Sequence, residues 1–414
     1  MKTEINLRQV VFSLSKALDL VGVDDMHHGK RVAFMAYSCA QHLNMDVHEC
    51  DTLIQAAMLH DCGVSKTYTH KKLVTELDWS GSQSHCEIGE QLLLSCPVFS
   101  YLAPVIAYHH THWDKLKDLD VPKAVKRDSN LIFLVDRVDA LIAQQNIPEP
   151  IMARNIVREK IQSYSGTLFS PNLVDSFLEA SNLSAFWLTL ESEPLYDMLR
   201  QWVADGQNQM ISFETLHSIA QIFAKIVDAK SPFTVEHSQG VARLAKQLAI
   251  WDEQSEEIAN KLELAGLLHD LGKLRVPDEI LEKPDKLNEI EFSVMQGHSF
   301  ESHQILKDIK GLEDVALWCS QHHEKINGSG YPFKYKGEDI SRPARILAVA
   351  DVFQALAQNR PYRGSLQLEE IFSIMSDMIQ SGNIDASLVN IVREHANECH
   401  RIALVEYAAE KLHI

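Results

Sequence analysis

The chain contains 414 residues, 45% of them hydrophobic and 23% charged, which is typical of a globular protein with two or three domains. Its formal net charge of −18 excludes the broad positive surface that a DNA or RNA partner would require. No run of about 18 apolar residues occurs, and MKTEINLRQV lacks a hydrophobic signal segment, so we expect no membrane partner and a cytoplasmic location.

Seven cysteines are scattered through the sequence without a CxxC pair or a regular framework. Because no export signal is present, we expect reduced thiols rather than disulfides. Cys62, next to Asp61, offers a soft extra metal ligand, although a plain buried thiol is the better interpretation.

The first half of the chain is predicted to be helical. Apolar residues recur at intervals of three and four over residues 6–19, and a second helix is predicted from about His27 to Leu43. The next helix, DTLIQAAMLHDCG, is apolar and ends in the pair His60-Asp61. Further along, 146–150 is a predicted break.

A second break is predicted at 165–173, where Pro171 is well placed to begin a helix. A short polar spacer follows at 204–207. Residues 212–229 have helical periodicity, and we interpret them as a helix that connects to the second half of the chain; a dimer seam is the alternative. Ser231 and Pro232 then indicate the beginning of another helix.

The stretch from Leu264 to Arg275, LAGLLHDLGKLR, organises the second half. An apolar helix ends there in His269-Asp270, and Gly272-Lys273 follow. An imidazole and a carboxylate next to each other at the end of a helix can bind one metal through the imidazole nitrogen, while the carboxylate bridges to a second metal. Lys273 then stands close enough to contact an anionic ligand of those metals.

Candidate partners for this pair occur before and after it, on segments with helical character. Five imidazoles and two carboxylates, without a thiolate, suit Fe or Mn better than a structural zinc cage, and Ni, Co, Mg and Zn are the other options. The set predicts a two-metal hydrolytic centre that lowers the pKa of a water and stabilises an in-line displacement at phosphorus. The predicted ligands, with Asp270 as the bridge, are His237, His269, Asp270, His298, His322, His323 and Asp351.

The first half repeats this pattern. His28 precedes His60 by 32 residues, as His237 precedes His269, and each later ligand has a counterpart in order. The copy has Val64 in place of Lys273 and lacks the GSGYP loop. Unpaired buried imidazoles and carboxylates are costly, so we favour a second metal site here over a hydrogen-bonded remnant. Its candidate ligands are His28, His60, Asp61, His85, His109, His110 and Asp136.

Three motifs carry a family resemblance: HDLGK at 269–273, HHEKINGSGYP at 322–332 and ARILAVADVFQALAQNRPYR at 344–363. They resemble the HD-GYP phosphodiesterases, a branch of the HD-domain metal-dependent phosphohydrolases, over roughly 170 residues. The resemblance implies an all-helical bacterial enzyme with a binuclear or trinuclear iron or manganese centre. It also implies a cyclic dinucleotide substrate, typically cyclic di-GMP and in some members 3′,3′-cyclic GMP-AMP.

Several residues beyond the ligands are assigned to the substrate. Lys273 is interpreted as a catalytic phosphate contact, and the resemblance supports that role. Tyr331, beside Gly330 in the GSGYP loop, is positioned to stack on a base or donate to a phosphate. Arg360 and Arg363 offer guanidinium forks that match phosphate or guanine, and the resemblance implies contact with the dinucleotide.

Some positions depart from the family pattern. Phe233 stands where three-metal members have glutamate, which favours two metals, and Asn327 and Gln354 also differ from the commoner residues. His303, five residues after His298, is expected to face away from the metals.

We therefore predict an all-α protein with two tandem HD-type helical domains, residues 1–205 and 206–414, joined by a connecting helix. The second is expected to be an active cyclic dinucleotide phosphodiesterase acting on cyclic di-GMP or 3′,3′-cyclic GMP-AMP. A dinucleotide receptor without turnover and a metal-dependent nucleotidase are the alternatives, and the first domain is one candidate location for the nucleotidase activity. A homodimer is left open.

Overall fold

The structure of the chain, a computed structural model, describes residues 2–21, 27–145, 149–230, 237–358 and 364–404. Two compact units divide between Asn208 and Gln209, and residues 1–5 belong to the second unit. The boundary at 205/206 stays a prediction. Several residues discussed above lie outside the described ranges: residues 146–148 of the predicted break, Ser231, Pro232, Phe233, Arg360 and Arg363.

The first unit is built from helices. They are α1 (Leu7–Asp19), α2 (His28–Ala40), α3 (Val47–Leu59), α4 (Thr67–Thr75), α5 (Ser82–Leu94), α6 (Ala103–Ala107), α7 (Trp113–Leu116), α8 (Lys123–Gln144), α9 (Arg154–Ser163), α10 (Pro171–Ala180), α11 (Ser184–Leu188) and α12 (Ser192–Ala204). Short 3₁₀ turns lie at Ser100–Leu102 and Pro150–Ala153. The predicted helix over 6–19 and the predicted start at Pro171 are confirmed by α1 and α10.

Helix α3 lies in the core of this unit. Its beginning is fixed by Asp46, whose side chain accepts from the backbone N–H groups of His48 and Glu49, while the Glu49 carboxylate accepts from the Asp46 N–H. Every residue from Leu53 to Leu59 is buried. The helix therefore delivers the following His60-Asp61 pair to the interior rather than to the surface.

The second unit repeats the helical architecture. Its helices are α13 (Phe213–Asp228), α14 (His237–Trp251), α15 (Glu256–Leu268), α16 (Asp278–Leu281), α17 (Glu289–Leu306), α18 (Glu313–Gln321), α19 (Arg342–Ala357), α20 (Leu368–Gln380), α21 (Ala386–Glu394) and α22 (Ala396–Leu404). Short 3₁₀ turns lie at Leu271–Arg275 and Gly337–Asp339. The predicted connecting helix is confirmed as a helix by α13, whose N-cap is Ser212.

Helices α14 and α15 pack with their backbones in close contact. A Cβ atom added to Gly266 of α15 would lie only 2.4 Å from the Cα atom of Ala242 in α14. Glycine is needed at this crossing because any side chain would separate the two helices. The approach brings His237, at the start of α14, beside His269, at the end of α15.

Two short strands were not predicted: β1 (Lys2–Asn6) pairs with β2 (Asn208–Ser212). The Glu4 carboxylate accepts from Lys310, in the same compact unit as residues 1–5. All seven cysteines are buried and free, as expected. Within the described ranges, no helix is both long and apolar enough to cross a membrane.

Candidate metal centres

Five segments of the second unit bring all seven predicted ligands together. His237 begins α14, His269-Asp270 follow α15, His298 lies in α17, His322-His323 follow α18, and Asp351 lies in α19. Their donor atoms form overlapping groups in which all donors lie within 4.8 Å of one another. The predicted constellation is therefore a compact cluster, hereafter the C-terminal cluster.

Asp270 divides the C-terminal cluster into two halves. Its Oδ2 atom faces His269 Nε2 at 3.3 Å and His237 Nε2 at 3.9 Å. Its Oδ1 atom faces His298 Nε2 at 3.5 Å and His322 Nε2 at 4.0 Å. A carboxylate with its two oxygens directed at two sets of imidazoles has the arrangement of a bridge between two ions.

Three imidazoles are held with one nitrogen directed inward. The Nδ1 atom of each lies within hydrogen-bond distance of the carbonyl three residues earlier: His269 to Gly266 at 2.9 Å, His298 to Met295 at 2.6 Å, and His322 to Cys319 at 2.6 Å. When Nδ1 carries the hydrogen and donates it, the lone pair of the neutral imidazole lies on Nε2. The Nε2 atoms of His298 and His322 lie 3.4 Å apart, and a cation between them would relieve the repulsion of the two lone pairs.

The electrostatics also fit a metal. Burial lowers the pKa of His298 to about 4 and that of His322 to about 3, which keeps both imidazoles neutral. Burial opposes ionisation of Asp270, but His269 and Lys273 outweigh it and hold the pKa of that carboxyl well below its usual range. The buried His269 Nε2 and Asp270 Oδ1 atoms have no hydrogen-bond partner among the described residues. Neutral imidazoles, an ionised carboxylate and unsatisfied buried atoms suit divalent ions.

Lys273 lies on the 3₁₀ turn that follows the His269-Asp270 pair. Its Nζ atom donates to Asp270 Oδ2 at 2.5 Å, and its side chain is 19% exposed. The turn fits against α17 because residue 272 is glycine: a Cβ atom there would lie 2.0 Å from the His298 carbonyl oxygen. The lysine ammonium is consequently held between the cluster and solvent.

The GSGYP loop borders the other half of the C-terminal cluster. The Tyr331 ring lies 4.9 Å from the His323 ring and 6.3 Å from the His298 ring, centroid to centroid. A Cβ atom at Gly330 would lie 2.5 Å from the Glu324 Cα atom, so the loop packs directly on its own backbone. Burial raises the pKa of Tyr331, so its hydroxyl stays a hydrogen-bond donor. His303 is half-buried, with its ring 6.4 Å from that of Phe333.

The first unit gathers its seven candidate ligands into a second cluster, hereafter the N-terminal cluster. Asp61 occupies the position of Asp270: its Oδ2 atom lies 3.5 Å from His60 Nε2 and its Oδ1 atom lies 3.4 Å from His85 Nε2. Two imidazole pairs face each other through Nε2, His28 with His60 at 3.2 Å and His85 with His109 at 3.1 Å. His110 Nε2 lies 3.7 Å from Asp136 Oδ2.

The two clusters differ in the cations that surround them. The counterpart of Lys273, Val64, is buried and contributes no charge. Instead, Arg137 donates to Asp136 Oδ2 at 2.7 Å and to three backbone carbonyls. Burial disfavours the His28 imidazolium, but the hydrogen bond and charge of Asp139 outweigh burial and raise the pKa of His28 to about 10.

Sequence reasoning missed two residues of the N-terminal cluster. Asp139, one turn after Asp136, holds His28 Nδ1 at 2.7 Å. Cys86 has its Sγ atom 3.9 Å from His85 Nε2 and 4.0 Å from His109 Nε2, whereas Cys62 contacts the Gly89 carbonyl instead. Comparing the two repeats could have identified both residues, because Cys86 and Asp139 differ from their counterparts in the second half, Ser299 and Gln354.

Comparison with known proteins agrees with this duplication. Two protein-family models, each described as an HD domain, match residues 26–144 and 221–388. The crystal structure of a cyclic GMP-AMP phosphodiesterase of Vibrio cholerae, V-cGAP3, has a TM-score of 0.66 and 23% identity, covering 95% of this chain and 98% of that one. At this identity the likeness shows the fold. The predicted all-α tandem of HD-type domains is confirmed.

Relatives extend the comparison beyond the fold. The 3′3′-cGAMP-specific phosphodiesterase 1 of Vibrio cholerae is 39% identical over 420 residues, which cover 98% of this chain and 95% of the relative. The cyclic di-GMP phosphodiesterase PA4108 of Pseudomonas aeruginosa is 38% identical over 146 residues, 35% of each chain. The chain belongs to the HD-GYP family of metal-dependent cyclic dinucleotide phosphodiesterases.

Proposed function

We propose that the chain hydrolyses 3′,3′-cyclic GMP-AMP to a linear product at the C-terminal cluster. The observation that carries this choice is the 39% identity to a relative named for that substrate, over nearly the full length of both proteins. Cyclic di-GMP is the second candidate, because PA4108, a relative named for that substrate, is 38% identical over 146 residues. The positions that depart from the family pattern, including Gln354, are candidates for the difference in base preference.

The metal ligands we propose are the seven residues of the C-terminal cluster. Their donors are nitrogen and oxygen only, which supports Fe or Mn over a structural zinc ion. When bound, two such ions supply a water of lowered pKa and stabilise the oxygens of the displaced phosphodiester. The chain's own contribution is to hold neutral imidazoles by their Nδ1 atoms, with Asp270 ionised between them.

Lys273 is proposed to stabilise charge on the phosphoryl oxygens. An ammonium group has three donors, and one of them is directed at Asp270 Oδ2. A phosphate bound beside Asp270 would be within reach of the others, in a partly buried setting where a charge contact is stronger than in water. Tyr331 is proposed to contact a base or phosphate from the loop side. Contacts from Arg360 and Arg363 stay predictions, as do a cytoplasmic location and a homodimer.

The test is linear-product formation from 3′,3′-cyclic GMP-AMP and cyclic di-GMP, measured side by side by chromatography with anaerobic Fe(II) or Mn(II). We expect the wild type to open 3′,3′-cyclic GMP-AMP faster and Asp270→Ala to lose at least about 10³-fold in rate. The matched control is His303→Ala, a histidine of α17 that lies beside Phe333 rather than with the seven ligands. Folded, metal-loaded wild type that opens neither substrate would contradict the proposal and favour the receptor or nucleotidase interpretation.

A further inference from the structure

The N-terminal cluster contains a thiol that its duplicate lacks. Cys86, fully buried in α5, follows His85 and corresponds to Ser299, whose hydroxyl bonds the Gln296 carbonyl in the second unit. Sulfur is a soft donor, and thiolates favour zinc over manganese or magnesium, which prefer oxygen ligands. The two duplicated clusters therefore have different ligand chemistry.

We propose that Cys86, His85, His109 and Asp61 form a zinc site in the first unit. Each residue would supply one donor: the thiolate sulfur, two Nε2 atoms and Asp61 Oδ1. Four protein ligands leave no coordination position for a substrate, which is the pattern of a structural site. The ion would tie the segment after α3 to α5 and to the residues that follow α6.

The distances among the sulfur and the two imidazole nitrogens match a tetrahedral zinc ion. With Zn–N bonds of about 2.05 Å and a Zn–S bond of about 2.3 Å, tetrahedral ligands lie about 3.3 Å apart for two nitrogens and about 3.6 Å apart for nitrogen and sulfur. The observed Nε2 to Nε2 distance is 3.1 Å, and the two Sγ to Nε2 distances are 3.9 and 4.0 Å. Asp61 Oδ1 lies 3.4 Å from His85 Nε2. The donors of Cys86, His85 and His109 lie within 4.8 Å of one another, and Asp61 Oδ1 would move toward the sulfur and His109 to complete the tetrahedron.

Buried polar atoms that lack a hydrogen-bond partner also indicate a zinc ion. Asp61 Oδ1 is buried and has no hydrogen-bond partner within the described part of the chain, which is costly for a carboxylate oxygen. His109 Nδ1 contacts the Ile106 carbonyl at 2.6 Å, so its Nε2 atom presents a lone pair toward His85. In the absence of metal, His85 can donate to His109 and the Cys86 thiol bonds the Ser82 carbonyl at 3.4 Å. That arrangement leaves Asp61 Oδ1 unpaired, whereas a zinc ion satisfies all four donors.

Cobalt(II) is the probe for the site, because it replaces zinc and absorbs in the near ultraviolet when a thiolate binds it. The parent protein is the full chain with Asp270→Ala, which disables the C-terminal cluster. We expect the cobalt-loaded parent to show the thiolate band, zinc to displace it, and Cys86→Ser to abolish it with a loss of about one zinc per chain. The matched control is Cys50→Ser in α3 of the same unit, a buried thiol 3.9 Å from the Met45 carbonyl, which should keep the band.

Helical circular dichroism shows whether each variant has folded, and His109→Gln repeats the test at another donor. Loss of the band in folded His109→Gln supports the proposal independently of Cys86. A parent without the thiolate band overturns it, whatever the variants do. A band that survives Cys86→Ser also overturns it, since the thiolate would then belong to another cysteine.

Discussion

Gly272→Ala tests whether the close packing of the HDLGK turn positions the metal ligands. The added Cβ atom would lie 2.0 Å from the His298 carbonyl oxygen and 2.8 Å from the Glu301 Cβ atom, where real Cβ contacts essentially never fall under 3.0 Å. The turn and α17 must therefore separate by about 1 Å, the difference between 3.0 and 2.0 Å. Because the obstructing atom is backbone, a side-chain rotation cannot relieve the contact.

Overpacking of this kind costs about 1–3 kcal/mol in the free energy of unfolding. One kcal/mol lowers the melting temperature of a domain of this size by about 2–4 °C, so we expect a decrease of about 2–12 °C. The same displacement moves His298 away from Asp270, and a site tolerates only about 0.5 Å of error, so affinity for Mn(II) should also fall.

The matched control is Gly297→Ala, one residue before His298 in α17. A Cβ atom there meets nothing within 4 Å, and alanine is the better helix former by about 0.5–1 kcal/mol. Scanning calorimetry of the metal-free proteins should show a lower melting temperature for Gly272→Ala and an equal or higher one for Gly297→Ala. A Gly272→Ala protein that melts at or above the wild type would refute the packing argument.

Three further predictions follow from the clusters and their surroundings. Lys273→Met should lower kcat by about 10²–10³-fold while the metal content measured by mass spectrometry stays unchanged; loss of metal instead would make Lys273 a structural residue. Burial raises the pKa of Asp228 to about 8, and unfolded carboxyls ionise near 4, so wild-type stability falls as pH rises between these values. The Asp228→Asn side chain can still accept from Ser238. Its stability relative to wild type, measured by calorimetry, should therefore increase as pH rises to about 8. A relative stability that decreases with pH would contradict this. Chelation should lower the melting temperature of the wild type more than that of the Asp61→Ala, Asp270→Ala double variant, and equal shifts would argue against metal at either cluster.

The sequence predicted the helices and the candidate ligands because both are encoded locally. An apolar run followed by His-Asp forms a helix that delivers the pair to the core, as α3 and α15 do at residues 60–61 and 269–270. The ordered histidines of the two halves then converge because the same helix order is repeated. Predicting these features requires only the hydrophobic periodicity, the spacing of the ligands and the internal repeat.

What the sequence did not reveal depends on contacts between distant residues. Strand β1 pairs with β2 across some two hundred residues, and two five-residue strands have too little local signal to predict. Asp139 was missed because its importance lies in its contact with His28, 111 residues away in the sequence. The sequence pattern indicates Cys62, the cysteine beside the His-Asp pair, whereas the helical path of α5 brings Cys86 to His109.

The two halves differ at the position of Asp139, and the packing around it shows why. In the first unit, Arg31 donates to Asp139 at 2.6 Å, and the same carboxylate binds His28. In the second unit the corresponding residues are Gly240 and Gln354, and a Cβ atom at Gly240 would lie 2.3 Å from the Gln354 side chain. The ion pair and the glycine–glutamine contact are alternative ways to fill the same space, so each residue constrains its partner.

The most direct test of the account is a reciprocal pair of variants assayed with 3′,3′-cyclic GMP-AMP under anaerobic Fe(II) or Mn(II). Asp270→Ala removes the proposed bridge of the C-terminal cluster, and Asp61→Ala removes the matching carboxylate of the N-terminal cluster. The account predicts that linear product disappears with Asp270→Ala and persists with Asp61→Ala. Turnover that survives Asp270→Ala but is lost with Asp61→Ala, in folded proteins, would place the hydrolytic centre in the first unit and contradict it.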